Sequence, residues 1–223
     1  PPARPILEKI ILDVNKIHLV LAKQPNTKIL IEDIRKLMSK EIKNNKTKLH
    51  SFDEYWNEHA VANILDTKEI VFIKRLLQFV LPINIRNQFC NFLFGRYVNK
   101  NQEEVSSNLY MSVSELNEMQ NGNMYIGCHG YDHVWLNTIP KEDQLNDIEK
   151  SLKFLKRIGV TTSDLVMNYP YGKYNSDTLD ILKEKKFCIG LTTKSAIADL
   201  DKNKPFELPR LDTNIFEKKI NYF

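Results

Sequence analysis

The sequence lacks the signatures of several common protein classes. Its three cysteines, Cys90, Cys128 and Cys188, are odd in number, widely spaced and outside any C-x-x-C pair. Because such a set does not form a disulfide framework, we expect buried thiols in a reducing compartment and therefore a cytoplasmic protein. The chain also has no P-loop, no G-x-S-x-G and no G-x-G-x-x-G pattern, so nucleotide binding and serine hydrolysis have no support.

Long hydrophobic runs and a strong charge imbalance are also missing. The most apolar run, residues 70–83, is interrupted by Lys74 and Arg75 and is too short to span a membrane. The 32 basic and 28 acidic residues give a net charge of +4 and are mostly interleaved, which predicts solvated helix faces and no nucleic-acid partner. With 223 residues, of which 42% are hydrophobic, the chain is long enough for one large domain or two small ones.

Apolar residues at helical spacing predict that the first half of the chain is mostly helical. Two Ser-x-x-Glu capping boxes, at Ser51 and Ser112, mark expected helix starts. The elements predicted in this half are helices over residues 6–21, from 27, from 51, over 67–80, over 84–97 and from 112, with a polar loop over 99–108.

The second half alternates strand patterns with helix patterns. Strands are predicted at residues 124–128, 164–168 and 188–191, and helices at residues 141–158 and 176–186. Strands that alternate with helices are typical of parallel β/α units, so this half is expected to be an α/β layered or barrel domain.

Two of the five histidines, His129 and His133, are spaced H-x-x-x-H directly after the predicted strand at residues 124–128. Gly130 favours a loop at this point, and loops at the carboxyl ends of parallel strands form the active face of α/β folds. A neutral imidazole is a good ligand for Zn²⁺, so both histidines are candidate metal ligands, with Asp132 as a candidate to orient one of them. The alternative is that both are structural or surface histidines.

A second motif, Tyr169-Pro170-Tyr171-Gly172, follows the predicted strand at residues 164–168. Proline fixes φ and glycine permits an unusual turn, and such a turn can present a backbone N–H to a developing oxyanion. The alternative is an ordinary Pro-Gly turn.

The two motifs together resemble those of a known enzyme family. The sequence IGCHGYDH at residues 126–133 resembles the histidine motif of the polysaccharide deacetylase family, and NYPYG at residues 168–172 resembles its Pro-Tyr-Gly motif. LPRLD at residues 208–212 is similar to a late segment of members associated with surface polysaccharides.

The resemblance implies an α/β fold, namely a distorted (β/α) barrel, incomplete in this chain, with a large and mostly helical insertion. Residues 1–26 would then hold the N-terminal helix of the barrel domain. Residues 27–120 would be the helical insertion or subdomain, and residues 121–223 the barrel portion with both motifs.

The resemblance also implies a chemistry and a set of roles. It implies removal of an acetyl group from an N-acetylated sugar by a divalent metal, with zinc as the expected ion, held by two histidines and one aspartate. The metal ligands would be His129 and His133, and the Tyr171 N–H would bind the oxyanion. The substrate groove would be lined by Tyr169, Pro170, Tyr171 and Gly172, and Arg210 and Asp212 are candidates to orient catalytic groups. The expected partner is an N-acetylated saccharide, and no residue pattern specifies an oligomeric state.

The sequence departs from the family's pattern in its acidic motif. The Thr-Phe-Asp-Asp strand motif that supplies the base and the third ligand is not found, and SFDE at residues 51–54 is similar only in letters, because it opens a helix. Asn168 stands where many members have arginine, and no histidine follows His133. The chain begins with Pro1 and no methionine, so we expect it to be processed, trimmed or the downstream part of a longer polypeptide, and to be inactive if it starts at this residue.

Two other hypotheses about function stay open from the sequence alone. One is a degenerate, non-catalytic carbohydrate-binding or scaffold protein of the same fold. The other is a helical interaction domain fused to an α/β module, in which the histidines are incidental.

Overall fold

The computed structural model describes residues 2–44, 48–63 and 65–213. The chain forms two compact units: unit 1 comprises Pro1–Ile10 and Ser106–Phe223, and unit 2 comprises Ile11–Val105. These divisions fall at other residues than the predicted boundaries after residues 26 and 120, and the domain assignment stays a prediction.

The helices and strands of the described residues are as follows in chain order. They are α1 (Arg4–Glu8), α2 (Asp13–Lys23), α3 (Thr27–Lys43), α4 (Phe52–His59), α5 (Lys68–Arg75), α6 (Ile83–Tyr97), α7 (Gln102–Leu109), α8 (Val113–Asn121), α9 (Lys141–Arg157), β1 (Val166–Asn168), α10 (Ser176–Glu184) and β2 (Ile189–Leu191). A π-helical turn, Leu76–Val80, continues α5, and short 3-10 turns lie at Leu136–Thr138, Pro170–Gly172 and Pro205–Glu207. None of the helices in these ranges is both long and apolar enough to cross a membrane.

Unit 2 is a group of helices around an apolar core. The residues at its centre are almost fully buried, and they include Ile17, Leu30, Ile34, Met38, Phe72, Leu76, Phe89 and Leu93. They come from α2, α3, α5, its π-helical continuation and α6, so one apolar stripe from each helix forms the core, as expected of amphipathic helices.

The predicted helix over residues 6–21 is interrupted. Lys9 has a left-handed backbone (φ 51°), which ends α1, and Leu12 is extended just before α2 begins at Asp13. An L-residue in the left-handed region cannot continue a right-handed helix, so the helical spacing of the apolar residues spans two elements that belong to different units.

Two other local predictions had opposite outcomes. The capping boxes at Ser51 and Ser112 are both confirmed, since each serine accepts from the N3 backbone N–H and each N3 glutamate accepts from the serine N–H. The predicted loop at residues 99–108 is wrong, because α7 lies there. Asn101 Oδ1 accepts the Glu103 N–H at 2.8 Å, so an asparagine cap starts a helix whose sequence is mostly polar.

Unit 1 contains a small parallel sheet surrounded by helices. β1 and β2 pair in parallel through Val166 with Ile189, Met167 with Gly190, and Asn168 with Leu191. Isolated parallel bridges extend this sheet on both sides, from Cys128 to Met167 and from Leu191 to Leu208. The pairing segments therefore follow one another in sequence order, with α9 and α10 between the first three, and this part of the chain is α/β.

The predicted strand at residues 124–128 is present only as the bridge at Cys128. Met124 and Tyr125 are more than half exposed, at 57% and 56%. The Tyr125 hydroxyl accepts the Val166 N–H at 2.9 Å and donates to the Asp164 carbonyl at 2.6 Å. This phenol satisfies polar groups of the neighbouring segment that strand pairing would otherwise satisfy, so regular pairing begins only at Cys128.

Helix α9 confirms the predicted helix at residues 141–158 and connects the first bridge to β1. Acidic residues occupy its first turn and basic residues its last turn, which complements the helix dipole. Gly159, with φ 81°, follows its end and takes a conformation that favours glycine. Three of the residues on its buried face are polar: Gln144, Asp147 and Ser151.

Candidate functional site

Both sequence motifs lie at the carboxyl edge of the parallel sheet. The Cys128 N–H donates to the Val166 carbonyl and the Asn168 N–H donates to the Cys128 carbonyl, both at 2.9 Å. These bonds align the end of the first pairing segment with the end of β1. His129 and Tyr169 therefore leave the sheet side by side, which brings the histidine motif and the Pro-Tyr-Gly motif together.

His129 is held by the end of β1. Its Nδ1 lies 2.5 Å from the Asn168 carbonyl oxygen, so Nδ1 carries the proton and the lone pair is on Nε2. Burial lowers the pKa of His129, more than the carbonyl contact raises it. The imidazole is therefore neutral and fixed in one tautomer, which is how metal-binding histidines are prepared in proteins.

His133 lies against His129, with 4.8 Å between the two ring centroids. Its backbone is left-handed (φ 56°), and its Nδ1 is buried with no hydrogen-bonding partner among the described residues. Burial and, to a smaller extent, the neighbouring His129 lower the pKa of His133 to about 4. This second imidazole is therefore neutral at pH 7 and has a buried nitrogen that no described protein group satisfies.

The other side of His133 is an aromatic wall. The ring of Tyr171 lies 4.7 Å from that of His133, and the ring of Trp135 lies 5.3 Å from that of Tyr171. The Lys173 ammonium is 5.1 Å from the Trp135 ring centroid, within cation–π range. The sequence reading missed Trp135 and Lys173, although an aromatic two residues beyond the second histidine was a signal that could have identified Trp135.

The loop between the histidines is held from two sides. The buried Asp147 of α9 accepts the Tyr131 N–H at 2.9 Å and the Asp132 N–H at 2.8 Å, and burial raises its pKa. On the other side, Arg4 donates through its backbone N–H to the Tyr131 carbonyl at 3.1 Å and through Nη1 to the Asp132 carboxylate at 2.8 Å. Asp132 thus pairs with Arg4, which corrects the expectation that it orients an imidazole.

The Pro-Tyr-Gly motif forms a tight turn with an unusual backbone. Tyr171 is left-handed (φ 56°, ψ 11°) and Gly172 is left-handed as well (φ 66°). Non-glycine residues in this region are strained, and such strain is concentrated at functional sites. A Cβ on Gly172 would lie 2.2 Å from Thr193 Oγ1, so the residues after β2 pack directly against this turn.

The predicted groove residues divide into buried and half-buried ones. Tyr169 is 1% exposed, stacks on Tyr174 at 4.4 Å and donates through its hydroxyl to the Phe206 carbonyl at 2.8 Å. Its side chain, like that of the buried Pro170, belongs to the core, which leaves only the main chain of these two residues for contact with a saccharide. Tyr171 and Gly172 are half-buried, and a role of the motif in substrate binding stays a prediction.

The two late candidates lie after the second bridge. Arg210 donates through Nε to the Thr192 carbonyl at 2.9 Å and through its backbone N–H to the Lys194 carbonyl at 3.0 Å, which attaches the late segment to the residues after β2. The positive charge of Arg210 contributes to the lowered pKa of His129. Asp212 is exposed, and the catalytic roles proposed for both residues stay predictions.

A divalent metal fits this site in part. Two neutral imidazoles, one with a fixed tautomer and one with an unsatisfied buried nitrogen, are a suitable pair of zinc ligands. Within residues 2–44, 48–63 and 65–213, however, no three His, Cys, Asp or Glu side chains are grouped closely enough to hold a metal ion. Cys128 is not a further ligand, since its thiol points to α9 and donates to Ser151 Oγ at 3.3 Å.

Comparison with known proteins identifies the same family as the motifs. Residues 84–189 match the family model of polysaccharide deacetylase. A curated relative, the putative polysaccharide deacetylase YxkH of Bacillus subtilis (strain 168), is 25% identical over 92 residues, which cover 41% of this chain and 33% of the relative. The chain thus spans about a third of the length of this relative.

Two solved structures are similar over about half of each chain. The Streptococcus pyogenes deacetylase PplD in complex with acetate is 27% identical with a TM-score of 0.45, covering 48% of this chain and 47% of that chain. IcaB from Ammonifex degensii is 24% identical with a TM-score of 0.42, and the match covers 49% of this chain and 51% of that chain. On the family match and the curated relative, the region of the chain that holds both motifs is similar to polysaccharide deacetylases.

Proposed function

We propose that this chain takes part in the metal-dependent removal of acetyl groups from an N-acetylated saccharide, in glycan or surface-polysaccharide metabolism. The observation that carries the proposal is the pair of half-buried, neutral imidazoles of His129 and His133, whose ring centroids are 4.8 Å apart at the carboxyl edge of the sheet. The match of residues 84–189 to the polysaccharide deacetylase family model supports the reaction class, and the curated relative is a putative polysaccharide deacetylase by name.

The residues of this chain would have the following roles. His129 would present Nε2 to the metal, because its Nδ1 is held by the Asn168 carbonyl, and His133 would supply the second imidazole. A bound divalent ion, with zinc as the expected one, would polarise the acetyl carbonyl and lower the pKa of a bound water. Tyr171 would direct its N–H to the oxyanion from its left-handed backbone, and Trp135 would form an apolar side of the saccharide site.

The same proposal includes the fold around the site. The order of parallel segments, Cys128, β1, β2 and Leu208, with α9 and α10 between the first three, is the order of consecutive strands in a (β/α) barrel. We propose a distorted barrel of the deacetylase type here, with the helical residues of unit 2 as an insertion or subdomain. The cytoplasmic location expected from the cysteines stays a prediction.

Zinc titration of the purified chain tests the imidazole pair. We expect His129→Ala and His133→Ala each to weaken zinc affinity tenfold or more, since each removes one of two protein ligands. The matched control is His59→Ala, because His59 is also largely buried and stacks on Tyr55 within unit 2. Equal affinity of all three variants and the unaltered chain would refute the metal site.

Acetate release from an N-acetylated oligosaccharide is a separate readout. The reaction also needs a base, and no Asp or Glu joins the two histidines in a three-residue group within the part of the chain that the structure describes. Release that disappears in His129→Ala would establish hydrolysis. The second candidate is a non-catalytic carbohydrate-binding protein of the same fold, and it is suggested by the lack of an Asp or Glu beside the two histidines among the described residues. Saccharide binding in the presence of zinc, without acetate release, would favour it.

A further inference from the structure

The loop between the two candidate ligands has an unusual conformation that its own sequence explains at Gly130 but not at His133. It contains Gly130 at φ 71° and ends at His133 at φ 56°, so two left-handed residues lie within four positions. Left-handed backbone at a non-glycine residue is unfavourable by itself. The conformation at His133 must therefore be stabilised by contacts from outside the loop.

The strongest of these contacts comes from the middle of α9. The Asp147 side chain is on the buried face of the helix, and the residue is 4% exposed. Its two carboxylate oxygens accept from successive backbone groups of the loop: Oδ2 from the Tyr131 N–H at 2.9 Å and Oδ1 from the Asp132 N–H at 2.8 Å. Hydrogen bonds from N–H groups to a buried carboxylate are among the strong ones in proteins.

The absence of a side chain at Gly130 leaves room for the same carboxylate. A Cβ at this position would lie 2.8 Å from Asp147 Oδ2 and 3.4 Å from Pro170 Cγ. The carboxylate thus occupies the space that a side chain at residue 130 would need. This is a second reason for glycine here, in addition to its positive φ.

We infer that Asp147 is a positioning residue, which holds the loop of residues 130–132 so that His133 is brought against His129. The inference rests on the proposed function, because the purpose of this arrangement is to present two imidazoles to one metal ion. Asp147 itself bonds the backbone between the histidines and acts through it. Fixing the Asp132 N–H fixes the peptide unit between Tyr131 and Asp132, one residue before His133, and so limits where the His133 ring points.

The ion pair on the other side of the loop is expected to matter less. Arg4 and Asp132 are 41% and 35% exposed as side chains, and exposed pairs contribute little. Asp147 is 4% exposed, so its bonds to the Tyr131 and Asp132 N–H groups are shielded from water, and losing them costs more than losing an exposed ion pair. With Co²⁺ as the probe ion in place of zinc, we therefore expect Arg4→Ala to change the metal affinity by less than about threefold. We expect Asp147 variants to weaken it by roughly tenfold to a hundredfold, the range for residues that support metal ligands.

The first test needs no metal. Amide hydrogen exchange of the metal-free chain is measured for Tyr131 and Asp132 in the unaltered chain and in Asp147→Asn, with the Cys128 and Asn168 amides as internal controls in the sheet. The asparagine keeps the shape but turns one acceptor into a donor, so we expect at least tenfold faster exchange of one or both loop amides and unchanged exchange in the sheet. Unchanged exchange of both loop amides would overturn the inference, whatever the metal result.

The second test is Co²⁺ titration followed by absorbance, with matched variants. Asp143→Asn makes the same chemical change at an exposed position of α9, and Gln144→Ala removes a buried polar side chain that bonds Ile139 and Asn175 instead of the loop. We expect weaker Co²⁺ binding for Asp147→Asn and Gly130→Ala, and near-unaltered binding for both controls.

The outcomes separate the inference from the function on which it rests. If the unaltered chain binds no Co²⁺ while the loop amides still respond to Asp147→Asn, the metal proposal fails and the positioning of the loop stands. If Gln144→Ala weakens Co²⁺ binding as much as Asp147→Asn does, a general loss of stability explains both, and the positioning role is refuted.

Discussion

Replacing Gly190 with alanine tests whether the Tyr169 side chain sets the spacing of the sheet under the site. Gly190 is the central residue of β2 and pairs with Met167 of β1. The hydroxyl of Tyr169 passes over it and donates to the Phe206 carbonyl at 2.8 Å. Tyr169 also begins the turn that contains Tyr171, so a shift of its side chain would displace the turn next to His133.

The magnitude follows from the distances. A Cβ at residue 190 would lie 2.4 Å from the Tyr169 hydroxyl oxygen, 2.7 Å from the Phe206 carbonyl oxygen and 2.9 Å from Tyr169 Cζ. Real Cβ contacts are not this short, and overpacking of this kind costs about 1–3 kcal/mol. Tyr169→Phe alone removes one partly buried hydrogen bond and should cost about 1 kcal/mol.

The double variant decides whether the clash is with this hydroxyl. Removing it takes away the shortest contact but leaves the Phe206 carbonyl, so Tyr169→Phe should relieve part of the cost of Gly190→Ala. We expect the double variant to be less destabilised than the sum of the single variants, by about 1 kcal/mol.

Urea unfolding monitored by one tryptophan measures these free energies. The chain has two tryptophans, Trp56 in unit 2 and Trp135 in unit 1, so a Trp56→Phe background makes the fluorescence report unit 1. Costs that add within about 0.3 kcal/mol would refute the assignment of the clash to the hydroxyl, since independent sites behave that way. A cost below about 0.5 kcal/mol for Gly190→Ala would refute the packing argument itself.

Three further predictions concern separate parts of the chain. The pKa of His133 is about 4 in the folded chain and about 6.5 in the unfolded chain, so the unfolded chain binds a proton first as pH falls. The free energy of unfolding of the metal-free protein should therefore decrease by about 3 kcal/mol between pH 6.5 and pH 4. His133→Asn should remove this part of the pH dependence. Ser51→Ala breaks the capping box of α4 and should cost about 1 kcal/mol in urea unfolding, whereas a cost near zero would contradict the cap's role. Under native conditions a thiol reagent should label Cys188, which is exposed, and leave the buried Cys90 and Cys128 unlabelled until the chain is denatured, because burial raises the pKa of both thiols.

The predicted strands at residues 164–168 and 188–191 are present as β1 and β2, and several other elements that the sequence predicted correctly are fixed by local contacts. The capping boxes at Ser51 and Ser112 and the helix at 141–158 depend on residues three or four positions apart, which a single sequence displays. The wrong predictions depend on longer-range contacts or on a single capping residue. Tyr125 replaces strand pairing through bonds to residues about 40 positions away, and Asn101 starts a helix within a polar stretch whose composition predicts a loop.

The candidate site was predictable only where chain order alone brings residues together. His129 and the end of β1 meet because carboxyl ends of neighbouring parallel strands share an edge, which the strand pattern predicted. The supporting Asp147 comes from a helix between the strands, and its position depends on the rotation of that helix. A polar residue on the buried face of α9 was visible as a departure from the apolar pattern, but its partner was not.

Each of the two motifs of the site contains a residue with a strained backbone. His133 and Tyr171 are both left-handed, which costs about 1–2 kcal/mol at each residue, and their rings meet at 4.7 Å. Each conformation is held by a contact from another element: Asp147 bonds the loop before His133, and Thr193 packs against Gly172 beside Tyr171. Because these holding contacts form only when unit 1 is folded, the strained geometry cannot exist in the unfolded chain. A metal ion that binds both imidazoles would therefore bind the folded chain in preference and stabilise it in proportion to the logarithm of its concentration above the dissociation constant. The folded scaffold thus bears the strain before any metal ion binds, so the geometry of the two candidate ligands depends on the packing of α9 and of the residues after β2 as well as on the histidines themselves.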